Sequence, residues 1–181
     1  MNEGFFGEIS FGKWLWVTFA GWFLGVVLIL VLSGMFDAFE IEGFQFYLGV
    51  GMGFGVGVLQ WLLLRKKVSW LWFAASTVGM GLPFVFFDFF PLISGDFKLP
   101  VCVFLGSVLT GSLQFLLLRM KGANALIWIP GSIAGWTVAA CSVFLINLTM
   151  QIKVSGYMNL VLALVNLVLI LSGGVILGLM T

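Results

Sequence analysis

No histidine occurs anywhere in this 181-residue chain. That removes the commonest ligand of haem and zinc and the usual proton shuttle, so a His-ligated haem or metal is excluded. Charge is nearly as scarce, with eight Lys and Arg against seven Asp and Glu. A net charge of +1 gives no electrostatic grip on nucleic acid. The only cysteines, Cys102 and Cys141, lie inside apolar runs, where small buried hydrophobes are expected rather than a redox pair. No catalytic set is present either. No Ser or Cys has a His partner, the carboxylates gather in loops, and no metal-ligand spacing or Walker-type loop occurs. The chain reads as non-enzymatic.

What is abundant is apolar side chain. The hydrophobic fraction is 62% and the mean hydropathy +1.21, against about 45–50% apolar residues in soluble proteins. So few charges could not cover that much apolar surface in water, so the bilayer must be the solvent. A crossing helix needs about 20 apolar residues, and six runs satisfy this. They are predicted at about Trp14–Met35, Phe44–Leu64, Trp70–Phe90, Leu99–Leu118, Ala125–Met150 and Tyr157–Met180. The expectation is an all-α, polytopic membrane bundle forming one transmembrane domain over 1–181.

The basic residues fix an expected orientation. Lys13, Arg65, Lys66, Lys67, Arg119 and Lys121 fall on one side of the six spans, and only Lys98 and Lys153 on the other. The positive-inside rule places the first side, and with it both termini, in the cytoplasm. The opening MNEGFFGEISFGK lacks the basic region and cleavage site of a signal peptide. The first span is therefore expected to be retained as its own insertion signal.

Internal repetition organises the chain. GVGVLQWLLLRKK from Gly55 returns as LTGSLQFLLLRMK from Leu109, so that Gln60 and Arg65 match Gln114 and Arg119. Trp14, Thr18 and Gly21 match Trp72, Ser76 and Gly79, and again Trp128, Ser132 and Gly135. Each unit is a helical hairpin, over about 11–65, 66–120 and 121–181. Paired helices enter from the same side, which predicts a pseudo-threefold axis along the membrane normal rather than an inverted repeat. In the third unit the glutamine position is Thr181, and the unit reads as a terminal repeat.

Small residues four apart stack on one helix face and let backbones approach, which is how helices associate in lipid. Such pairs occur as Gly21 with Gly25, Ala75 with Gly79 and Gly131 with Gly135 in the first helices. In the second helices they are Gly53 with Gly57, Ser107 with Gly111, and Gly174 with Gly178. GVGMGFGVG at 49–57 superficially resembles a nucleotide loop but lies inside an apolar run, so it too reads as a packing face.

The scarce polar residues are the remaining candidates. Gln60 and Gln114 are expected to make interhelical hydrogen bonds; the functional alternative is a polar site, or an amide oxygen that ligates a magnesium-bearing pigment. Arg65, Lys66, Lys67, Arg119 and Lys121 are expected to anchor helix ends at anionic headgroups. Thr18, Ser76 and Ser132 should bond to the carbonyl four residues back or across to a neighbour. Trp14, Trp70, Trp72 and Trp128 are placed in an interfacial aromatic belt, and Asn147 and Asn166 in buried links. Asp88 is expected near the outer interface, with no basic residue deep enough to pair with it. Phe84, Phe86, Phe87, Phe89 and Phe90 are read as a surface for partner helices or for lipid or pigment tails.

The pattern Trp-x3-Thr/Ser-x2-Gly-Trp followed by Gly-x2-Gln-Trp-Leu-x-Leu-Arg is carried by Trp14, Thr18, Gly21, Trp22, Gly57, Gln60, Trp61 and Arg65. Its second copy runs through Trp72, Ser76, Gly79, Gly111, Gln114, Phe115 and Arg119, with Met80 in place of the second Trp. This resembles a family of uncharacterised, repeat-built membrane proteins common in cyanobacteria and other bacteria. The resemblance implies a bacterial inner or thylakoid-like membrane and an architecture, and no chemistry. Together these features predict a non-catalytic accessory subunit of a larger membrane complex. The alternative is a small transporter or channel lined by Gln60, Gln114 and Asp88.

Overall fold

A computed structural model describes residues 9–181 apart from 91, 94, 124 and 151–156; for 96 and 143–150 it describes the backbone alone. The basic residue Lys153 and the expected role of Asn147 lie outside that description. Among the described residues there are six long helices and no strand. They are α1 (Phe11–Ala38), α2 (Phe46–Leu64), α3 (Leu71–Phe89), α4 (Lys98–Arg119), α5 (Trp128–Met150) and α6 (Tyr157–Met180). All six fall within a few residues of the expected spans. Five of them (α1, α2, α3, α4 and α6) are long and apolar enough to cross a membrane.

Ser10 starts α1, its hydroxyl accepting the Lys13 N–H at 3.3 Å, which satisfies one of the orphan donors of the first turn. A single 3-10 turn, Gly95–Phe97, leads into α4. Each helix packs on its neighbours in the chain, and α6 packs back on α1, so the helices close into a ring.

Side-chain size, not polarity, sorts the helix faces. On α2 the glycines alternate between two neighbours. A methyl group added at Gly57 would lie 3.0 Å from Phe73 Cα on α3, and one at Gly55 would lie 2.6 Å from Gly25 Cα on α1. The glycine-rich run at 49–57 is thus two packing faces rather than one. The same close approaches recur around the ring. Methyl groups at Gly21 and Gly79 would fall 2.7 Å from Val56 Cα and 2.8 Å from Thr110 Cα; one at Gly135 would meet Leu177 Cδ1 at 3.0 Å. At Gly57, Gly111 and Gly178 the opposing Cα atoms are those of Phe73, Ile129 and Leu15, at 3.0, 3.4 and 3.3 Å. Gly25, Gly53, Ser107 and Gly174 are buried as well, and Gly131 is half-buried.

A ring of six helices leaves space along its middle, and the largest side chains fill it. Trp14, Trp72 and Trp128 are buried, and Trp128 packs against both of the others, with ring centroids 5.8 Å from Trp14 and 5.4 Å from Trp72. Leu64 and Leu118 complete that layer. A second layer holds Trp22, Met80 and Trp136 with Phe84 and Phe87. The belt assignment is therefore corrected for Trp14, Trp72 and Trp128: they are core. Trp70, in contrast, is exposed. Phe84 and Phe87 likewise leave the expected docking surface for the core, whereas Phe86, Phe89 and Phe90 stay outside. Cys102 is buried as expected, but Cys141 faces outward; both are free thiols.

Candidate functional site

The polar groups of the interior gather just inside the basic ends of the helices, where α2 meets α3 and α4 meets α5. Gln60 on α2 donates from Nε2 to Thr18 Oγ1 on α1 at 3.2 Å and accepts the Trp72 indole N–H from α3 at 3.4 Å. Gln114 on α4 donates to Ser76 Oγ on α3 at 2.8 Å and accepts the Trp128 indole N–H from α5 at 2.8 Å. Each amide therefore ties three helices together. Ser76 Oγ donates back to Trp72 O at 3.1 Å, and Ser132 Oγ donates across to Ser107 O at 3.3 Å. Gln60, Gln114, Thr18, Ser76 and Ser132 are all buried. Their bonds satisfy groups that would otherwise be stranded in an apolar interior.

Sequence reasoning placed the two glutamines correctly as interhelical links and missed their indole partners. The signal was present: each glutamine is followed, 12 or 14 residues on, by the Trp at the start of the next helix. At the corresponding position, just past the end of α6, stands Thr181, whose hydroxyl donates back to Leu177 O at 2.7 Å.

The two bridges are not equal. Replacing Gln114 with Leu is expected to cost about 1–2 kcal/mol, near the upper end measured for interhelical bonds in membranes. Gln60→Leu, which loses longer bonds, should cost about half as much. Thermal unfolding of the two variants in detergent checks this; a larger loss at Gln60 would contradict the geometry.

A second polar cluster lies at the opposite end. The Asp88 carboxylate, near the end of α3, accepts the backbone N–H groups of Gln45 and Phe46, each at 2.8 Å, where α2 begins. Its other oxygen meets Lys98 Nζ at 2.7 Å, the first residue of α4. The expectation that Asp88 lacks a basic partner is thus corrected. Its side chain is fully buried and that of Lys98 is 14% exposed. Gln45 caps α2 with no side-chain bond of its own, so a carboxylate from another helix does the capping, where the helix dipole favours negative charge.

Arg65, Lys66, Arg119 and Lys121 are exposed at the turns after α2 and α4, and Lys67 is half-buried. No group of three His, Cys, Asp or Glu residues suited to a metal ion occurs among the described residues. Comparison of the chain with protein-family models, with curated proteins and with solved structures returns no match.

Proposed function

We propose that this chain is a non-catalytic, integral membrane accessory subunit that packs its outer surface against partner helices in a larger membrane complex. The observation that carries this reading is the filled middle of the ring. Trp14, Trp72 and Trp128 occupy the space a conducting pathway would need, and the glutamines beside them are bonded to Trp72 and Trp128. The outer surface offers what a partner helix or a lipid or pigment tail can use: Phe86, Phe89 and Phe90 stand out from α3 and its end. Pigment ligation through Gln60 or Gln114 is disfavoured, since both amide oxygens accept an indole proton.

We further infer three copies of one hairpin about a pseudo-threefold axis. The matched contacts of Gly21, Gly79 and Gly135, and of Gly57, Gly111 and Gly178, support that arrangement. We also infer, from the basic residues at the turns, that both termini face the cytoplasm, and from the resemblance that the membrane is a bacterial inner or thylakoid-like one.

Gentle solubilisation, native mass spectrometry and an absorption spectrum of the same fraction test the proposal. Co-migration with a stoichiometric larger assembly is the expected result. A lone protein that carries solute flux in proteoliposomes, with the flux lost in Gln60→Leu and Gln114→Leu, would replace this reading with a transporter.

A further inference from the structure

The turn between α2 and α3 is the most basic stretch of the chain, with Arg65, Lys66 and Lys67 in succession. Arg65 and Lys66 are exposed, and neither forms an ion pair among the described residues. Nor does any described acidic side chain stand at this end. Asp37, Glu40 and Glu42 lie at or beyond the far end of α1, and Asp88 is paired with Lys98 at that same far end.

Beside this turn the outer face of α2 and α3 carries four connected aromatic side chains. Phe73 of α3 lies at their centre, with ring centroids 5.5 Å from Trp61, 6.0 Å from Phe54 and 6.1 Å from Trp70. Phe54 and Trp70 are exposed, and Trp61 and Phe73 are half-buried, so none of the four belongs to the packed middle. Positions 54, 61 and 65 share one face of α2, since seven residues complete nearly two helical turns and four more just over one. At about 1.5 Å of rise per residue, the eleven residues from Phe54 to Arg65 span about 16 Å. That is close to half the hydrocarbon thickness of about 30 Å. The aromatic column therefore runs the depth of one leaflet and ends at two cations.

The second copy of the repeat supplies an internal comparison. The matching positions of α4 and α5 are Val108, Phe115, Leu126 and Ile129, with Arg119 and Met120 at the turn. One aromatic and one cation stand there in place of four and two. The bonds of Gln60 to Trp72 and of Gln114 to Trp128 are nevertheless the same in both copies. The column is thus not needed to join the two helices.

We propose that the outer face of α2 and α3 binds one anionic phospholipid, its phosphodiester at Arg65 and Lys66 and an acyl chain along Phe54, Trp61, Phe73 and Trp70. A guanidinium takes a phosphate through two parallel hydrogen bonds, and the adjacent ammonium adds a point charge. Trp70 sits where an indole suits the headgroup level, and the aromatic faces give the chain a rigid apolar wall. Charge selects the occupant, because a zwitterionic lipid brings a cation of its own to the two already present. The site lies at the opposite end of α3 from Phe86, Phe89 and Phe90, so it stands whether or not those residues dock a partner.

Native mass spectrometry of the full chain in detergent, titrated with phosphatidylglycerol or phosphatidylcholine of the same acyl chains, tests it. One phosphatidylglycerol is expected to bind at least about fivefold more tightly than phosphatidylcholine, the gain from one cation near an anionic headgroup. Arg65→Gln with Lys66→Gln should abolish that preference. Arg119→Gln with Lys121→Gln removes the same charge from the other turn and should leave it. Phe54→Leu with Trp70→Leu, both at exposed positions, should weaken the binding of both lipids. Equal affinity for the two lipids, or an equal loss from the two charge pairs, would overturn the site. So would binding unchanged by the loss of the two aromatic side chains.

Discussion

Asp88→Ala is expected to lower stability by about 3–5 kcal/mol, the range for removing one partner of a buried ion pair. The carboxylate has no exposed side-chain surface and serves three elements at once: the Gln45 and Phe46 N–H groups that open α2, and Lys98 at the start of α4. Without it a lysine ammonium that is 14% exposed loses its counter-charge, and two backbone donors lose their acceptor. Asn at the same position keeps an acceptor for the N–H groups but not the charge, so Asp88→Asn should fall between Ala and the parent. Asp88→Ala combined with Lys98→Met should recover a large part of the loss, because most of it comes from the stranded charge rather than from the missing pair. Equilibrium unfolding in mixed detergent micelles reads all four proteins. A loss below about 1 kcal/mol for Asp88→Ala would mean that the carboxylate sits in water and the clasp contributes as little as a surface pair.

Gly55→Val is the second large effect. A Cβ at this position would come 2.6 Å from Gly21 O and 2.6 Å from Gly25 Cα. Both are backbone atoms, which cannot rotate aside as a side chain can. The helices α1 and α2 must therefore separate, and the expected loss is about 3 kcal/mol, the upper part of the usual range for overpacking. Gly34 on the same helix as Gly21 supplies the contrast: nothing lies within 4 Å of its added Cβ. Gly34→Ala should be neutral or stabilising by up to about 1 kcal/mol, the gain from a better helix former. Unfolding midpoints of the two variants measured side by side decide the matter. Equal effects at Gly55 and Gly34 would show that helix propensity, not close approach, accounts for the glycines.

Much of this architecture was legible in the chain, because length and hydropathy set the spans and residue size sets the faces. Gly21, Gly57, Gly111 and Gly178 could be read as packing positions from spacing alone, since lipid offers nothing to compete with backbone contact. The tryptophans could not. An indole near the end of a membrane helix suits the interface equally well, and only closure of the ring, α6 against α1, creates a middle that Trp14, Trp72 and Trp128 must fill. Trp70, two residues from Trp72, points outward; no local pattern separates the pair. The same holds for Phe84 and Phe87, which lie three residues apart on the inner face of α3, beside Phe86 on the outer one. The Asp88–Lys98 pair was hidden for another reason. The two residues belong to different helices, and their meeting depends on how the intervening segment, ending in the Gly95–Phe97 turn, starts α4.

The division of labour within each glutamine amide bears on how the chain is made. Gln60 donates to Thr18, which precedes it on α1, and accepts from Trp72, which follows on α3. Gln114 does the same with Ser76 and Trp128. During synthesis α1 and α2 can thus enter the membrane with the Gln60 amide already engaged on the donor side. Only the oxygen waits, and the residue that satisfies it emerges from the ribosome shortly afterwards. If the helices insert in chain order, neither amide need be wholly unbonded in the hydrocarbon, and each offers the following helix an acceptor. The order of translation is in this way also an order of docking.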